Sequence, residues 1–279
     1  MNHLMIFLNF GERSFKGLKC EMYKKTVEIF KYRQMLESLV LTDLRTRYKG
    51  SFLGFFWTLL NPLLMLGVYS LVFKYVVRIS LENYTAYLFI GIVVWNLLSQ
   101  SLVSGATSVI RNAGLVKKIY FPKEILPLSV VLGGVINFLL SLVVLFPVLF
   151  FSNVKVGLPL ITLPIILTVY FIFTLALTTL VSCINVYFRD LEHILSVVVM
   201  AWFYLTPIVF TEDMIPAGLK SVFALNPMNP IVNGFHKVFF YNQFPDMIQL
   251  LWLGLLSIGL LIICYFVFGK LSRKFAEEI

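Results

Sequence analysis

Side chains able to do chemistry are few and scattered along these 279 residues. The three histidines, His3, His193 and His236, share no spacing that would hold a metal ion, and HExxH, GxSxG and EF-hand patterns are absent. Three cysteines, Cys20, Cys183 and Cys264, form no CxxC pair and leave an odd thiol, so neither a zinc site nor a disulfide framework is expected. No GxxxxGK(S/T) phosphate loop occurs, so the chain does not hold ATP by that route. The carboxylates that stand out as candidates for chemistry at the cytoplasmic edge are Asp43, Asp190 and Glu192. What remains is the chemistry of carboxamides in apolar surroundings: Asn61, Asn96, Gln100 and Asn137. Asn96 and Gln100 stand one helical turn apart, so their face meets either another helix through hydrogen bonds or a watery path.

The elements that must position these groups are six apolar stretches: 52–77, 84–110, 125–151, 160–188, 194–211 and 247–269. Each is long enough to cross a bilayer, which needs roughly 20 helical residues. Only the first holds a charge, Lys74, near its end where a long side chain snorkels. Composition agrees: 59% of residues are hydrophobic and 13% charged, against about 25% charged in soluble domains. The fold class expected is an all-α membrane protein with six transmembrane helices, divided into a cytoplasmic segment 1–51 and a membrane domain 52–279. Asn61-Pro62 predicts a kink in the first span, and Gly133-Gly134 a close helix approach in the third. Carriers driven by protons or sodium need intramembrane Asp, Glu or His. Their near absence points to an energy source on another chain.

The formal net charge is +9, and its distribution reports orientation rather than nucleic acid. Six spans put both termini on one side. Of 23 Lys and Arg, all but Lys74, Arg78, Lys155, Lys220 and Lys237 fall on that side, which the positive-inside rule makes cytoplasmic. Met1–Phe10 is short and lacks a basic leader, so no cleaved signal peptide is expected.

Residues 20–49 alternate apolar Met22, Val27, Phe30, Leu36, Leu39, Val40 and Leu44 with a charged face at helical spacing. Such a helix lies on the membrane surface or packs on a soluble partner. Residues 212–246 mix apolar groups with Pro216, Gly218, Asn226-Pro227, Asn229-Pro230, Gly234 and Pro245. Broken helices re-entering the outer leaflet between spans five and six fit this pattern, as a lid or as a packed cap. Loop 111–124 is short and basic, yet carries Leu115, Ile119, Tyr120 and Phe121. A small helix docked in a partner's groove would use such anchors, and so would a loop settled in the headgroups.

Taken together, Arg47-Tyr48-Lys49-Gly50-Ser51-Phe52-Leu53-Gly54-Phe55-Phe56-Trp57 running into Leu60-Asn61-Pro62, the Asn185–Asp190 segment, and Thr206-Pro207-Ile208 followed by Asn226-Pro227 give the chain a family likeness. From about residue 29 onward it resembles the permease subunit of bacterial ABC-2 type exporters for surface polysaccharides, the group exporting O-antigen and teichoic acid. The resemblance implies a homodimer in the plasma membrane with two copies of a separate ABC ATPase. ATP and Mg would sit on that partner, and this chain would carry no cofactor or catalytic residue of its own.

It further implies that Leu115, Lys117, Lys118, Tyr120, Phe121 and Pro122 couple to the ATPase, and that Pro216, Phe223, Asn226, Pro227 and Phe235 form an outer gate. A conduit for sugars is expected to be lined by rings and small polar groups. The candidates are Phe52, Phe56, Trp57, Asn61, Trp95, Trp202, Phe203 and Tyr204. Arg45, Arg47 and Lys49 at the inner mouth would meet the diphosphate of a lipid-linked glycan. Two alternatives stand beside this one: an ABC-2 exporter of a drug or small amphiphile, and a membrane-embedded glycan or lipid transferase using Asp43, Asp190 or Glu192.

Overall fold

An apolar stretch in lipid must satisfy its backbone polar groups within itself, and the helix is the local way to do so. A computed structural model describes residues 27–48, 51, 54–72 and 81–279, and every regular element among them is helical. Lys49, Phe52, the side chain of Arg47, residues 20–26 and residues 73–77 lie outside what is described.

The helices used below are α1 Arg33–Tyr48, α2 Trp57–Leu71, α3 Tyr84–Ala106, α4 Ala113–Lys118, α5 Ile125–Phe151, α6 Leu163–Tyr187, α7 Leu191–Tyr204, α8 Met228–Phe239, α9 Met247–Leu271 and α10 Phe275–Glu278. Among the described residues four helical runs are long and apolar enough to cross a membrane: Tyr84–Ala106, Ile125–Phe151, Leu158–Tyr187 and Met247–Glu278. α5 coincides with the expected span 125–151. The proline-rich start of the fourth stretch is a 3-10 turn, Leu158–Thr162, leading into α6.

One element is shorter than the sequence predicts. α7 has 14 residues, roughly 21 Å at 1.5 Å per residue, while α2 is described over 15 residues within the stretch 54–72. α7 was expected to reach residue 211. It stops at Tyr204 because Pro207 disfavours helix at Thr206, and the chain turns there with the Ile208 amide donating to the Thr206 carbonyl at 2.7 Å. α2 continues in helical form through Pro62.

The bundle is built around α3, which is apolar on nearly every side and correspondingly buried. α5, α6, α8 and α2 all pack on it, and α9 lies along α6. The Gly133-Gly134 pair permits the α3–α5 approach: a Cβ on Gly134 would come 2.9 Å from Leu97 and 3.0 Å from the Ser101 hydroxyl. Tyr170 of α6 pins α3 from the other side. Its hydroxyl donates to the Val94 carbonyl at 2.5 Å and accepts from the Leu98 amide at 3.0 Å. It thus inserts into the helical ladder between residues that would otherwise bond each other.

The amphipathic helix finds a partner within its own chain. α1 packs along α5, with Val40 buried and Asp43 beside Gly133, and leaves Leu41 exposed; Phe30, just before the helix, is exposed as well. Two hydrophobic cores result. The larger fills the bundle. The smaller, around Phe121, Phe268 and Phe275, lies at the end that carries loop 111–124, called the loop end below. The opposite end, carrying residues 205–246, is the cap end.

Candidate functional site

Four of the ring residues expected to line a path come together. Trp95 of α3 meets Trp202 and Phe203 of α7 edge-on, with ring centres 6.0 Å and 5.7 Å apart. Tyr204 extends the cluster from Phe203. Tyr69 of α2, which sequence reasoning did not select, stacks on Phe203 at 5.8 Å and joins the two short helices. Trp95 and Phe203 are buried by this packing, whereas Tyr204 stays half-exposed. The indole N–H of Trp202 is spent on the Asn226 carbonyl oxygen at 2.8 Å.

Trp57 and Asn61 stand apart from that cluster. With Asn96, Gln100, Asn137 and Ser141 they line a crevice of about 70 Å³ between α2, α3 and α5. That is room for about two waters. The carbonyl oxygen of Asn137 is buried there and has no partner among the described residues. Trp57 donates its indole N–H to the Ser51 hydroxyl at 2.8 Å, and Phe56 beside it is exposed. Arg45 is exposed near the end of α1. Both short helices leave apolar faces uncovered, through Leu64, Met65 and Val68 on α2 and Val197, Val198 and Met200 on α7.

At the loop end, the expected coupling residues divide by burial. Tyr120 is 84% exposed and Ile119 52%. Lys117 and Lys118 are exposed, and Leu115 is half-buried. Phe121 and Pro122 correct the sequence reading: both are buried, Phe121 in the small core with Val116, Val186 and Phe275. A ring next to a proline at a helix start has the neighbouring α6 and α9 to pack on, and it turns inward. The loop is tied to both ends of the chain. Tyr32 donates to the Tyr120 carbonyl at 3.0 Å, and Lys123 donates to the Ser272 carbonyl at 2.5 Å. The Lys123 ammonium also lies 5.5 Å from the centre of the Phe275 ring. Burial holds that ammonium below its usual range, against the opposing pull of Glu124. Phe275 was legible only as a lone ring in a charged tail.

At the cap end, Asn226 is a bolt rather than a moving surface. Its side chain accepts from Trp202 and from the Met228 amide at 3.0 Å, and donates to the Leu205 carbonyl at 2.9 Å and the Thr206 hydroxyl at 3.0 Å. Phe235 corrects the reading as well: it is fully buried between Phe138, Tyr170 and Phe239. Pro216 is exposed, Pro227 starts α8, and Phe223 packs edge-on to Phe210.

His236, scattered in sequence, forms a knot. Its ring stacks on Tyr87 at 3.8 Å, and its Nε2 pairs with the Tyr87 carbonyl at 3.0 Å. Tyr84 and Tyr87 donate to the carbonyls of Val209 and Phe210 at 2.8 Å and 3.1 Å, so the turn after α7 is tied to α3. Burial pushes the His236 imidazole down to about 3, with the bond to Tyr87 opposing.

The sequence has known relatives. Residues 35–240 match the ABC-2 type transporter family. The chain is 35% identical over 264 residues to the O-antigen export system permease protein RfbA of Myxococcus xanthus, covering 92% of this chain and 100% of that protein. It is 34% identical over 237 residues to the protein of the same name from Klebsiella pneumoniae, covering 84% of this chain and 91% of that one. The chain belongs to the ABC-2 type transporter family.

Proposed function

We propose that this chain is the transmembrane subunit of an ATP-driven exporter that moves lipid-linked polysaccharide out of a bacterial cytoplasm across the plasma membrane. The observation that carries the reading is the uncovered face of α2 and α7. Two short helices joined by a ring cluster leave an apolar surface open next to a carboxamide crevice. The relatives named for O-antigen export supply the substrate class.

In this reading residues 52–279 cross the membrane six times, with α2 and α7 as the first and fifth crossings and both termini in the cytoplasm. Residues 1–51 form the cytoplasmic appendage. A second copy faces α2 and α7 across the conduit. Rings offer sugars an apolar face without fixed charge, which permits sliding rather than tight capture. Arg45, Arg47 and Lys49 at the inner mouth meet the diphosphate. Two ATPase subunits, which hold ATP and Mg, grip Ile119 and Tyr120 together with the Lys117-Lys118 rim. Their nucleotide states bind this loop differently and so bias the bundle between two arrangements. Phe121 and Phe275 transmit that bias to α6 and α9, and residues 211–225 yield at the outer mouth.

Reconstitution in proteoliposomes with a partner ABC ATPase tests the reading. ATP-dependent appearance of lipid-linked glycan on the far side is expected. A stable complex that hydrolyses ATP but moves no glycan would contradict it.

A further inference from the structure

A cavity of about 950 Å³ opens at the cap end between segment 212–230, α8 and the first turns of α9. Its size falls in the range of small-ligand sites. Part of its lining is polar, formed by the carboxylates of Glu212 and Asp213 and the carboxamides of Asn229, Asn233 and Gln249. The rest is apolar, dominated by the exposed ring of Trp252 with Leu253 and Leu256.

Two features point to what it takes. Asn233 donates to the Glu212 carboxylate, which orients both groups on the same wall. Among the described residues Lys220 is the one cation in the lining against two carboxylates, so the lining disfavours phosphate and diphosphate.

We infer that this cavity is a subsite for an uncharged, hydroxyl-rich glycan segment, bound after it leaves the conduit. Carboxylates and carboxamides accept from and donate to neighbouring sugar hydroxyls. Trp252 stacks on the C–H face of a sugar ring. An acyl chain would match the leucines but leave the carboxamides unpaired, which argues against a lipid occupant. The inference rests on the exporter reading and gives that path an outer landing place.

The test uses the chain assembled with its ATPase in lipid nanodiscs. The probes are neutral hexose and N-acetylhexosamine oligosaccharides, with inorganic pyrophosphate as the anionic arm, read by saturation-transfer NMR and calorimetry. Trp252→Leu and Gln249→Ala change exposed side chains, so both variants are expected to fold. Millimolar binding of an oligosaccharide that each variant weakens about tenfold, with no pyrophosphate binding, is the expected result. Binding unchanged in both variants, no oligosaccharide binding, or pyrophosphate taking the site would overturn the inference. Export by the wild-type complex is measured separately. If export proceeds and the binding result is negative, only the subsite falls; if export fails while ATP is hydrolysed, the exporter reading falls with it.

Discussion

The loop end and the cap end of this bundle differ in which side chains they leave outside. At the loop end, Tyr32 grips the Tyr120 carbonyl, the loop's own Lys123 grips the Ser272 carbonyl, and the side chains of Ile119 and Tyr120 are left outside. At the cap end, the loop's own polar side chains are drawn inward: Asn226 makes four hydrogen bonds, and His236 is stacked on Tyr87. The first arrangement presents a rigid handle with free anchors, suited to receiving a push from a partner. The second fixes the roof to α3 and α7. In the exporter reading, movement at the outer mouth falls to the mostly exposed stretch 212–225, between the knot and the bolt.

Substitutions can break this contrast in descending order of effect. Phe121→Ala removes a ring from the small core and is expected to cost about 3–5 kcal/mol of stability, read as an earlier thermal transition in detergent. Asn226→Ala leaves the Trp202 indole and two backbone groups of the roof without their partner, an expected loss of about 2–4 kcal/mol. If its melting matched wild type, the roof would be loose and the comparison would fail.

Acidification tests the knot. The folded value of His236, about 3, lies below the ordinary 6.5, so the unfolded chain takes up the proton first. Its contribution is complete above that ordinary value and falls as pH drops toward the folded one. About 2 kcal/mol is lost between about pH 6.5 and about pH 5. His236→Gln is expected to flatten that slope in unfolding measured across the same range.

Tyr120→Ala sharpens the other side of the contrast. Its stability is expected to stay within about 0.5 kcal/mol of wild type, while docking of the ATPase weakens about tenfold. Equal melting losses for Tyr120→Ala and Phe121→Ala would show that the loop has no free anchor.

The sequence told the long helices well and the facing of single residues poorly. α5 matched its expected bounds because Pro122 before it and Asn153 after it, the latter at φ 55, interrupt an otherwise unbroken apolar run. α7 was overestimated because apolarity continues past Pro207 while the helix does not. Tyr120 and Phe121 look alike as exposed anchors in a basic loop; only the nearby Phe275, more than 150 positions along the chain, decides that one is buried. Phe223 and Phe235 likewise share a proline-rich segment and differ only in what packs on them. The role of Asn226 depends on Trp202, 24 positions earlier, and no local pattern encodes that pairing. Most of the ring cluster was in the sequence reading because three of its members, Trp202, Phe203 and Tyr204, are consecutive in α7 and Trp95 is the one tryptophan of α3; Tyr69 was missed for lack of any such neighbour in the chain.

The central claim is that the path runs along the α2–α7 face between two copies of this chain. Cysteine cross-linking in native membranes tests it most directly, with single cysteines at Val68 and Met200 on that face and at Leu251 on the exposed face of α9. The account predicts linked dimers from Val68→Cys and Met200→Cys, with export blocked by the link, and none from Leu251→Cys. Dimers formed through Leu251→Cys, with the α2–α7 positions open to lipid-soluble reagents, would contradict it.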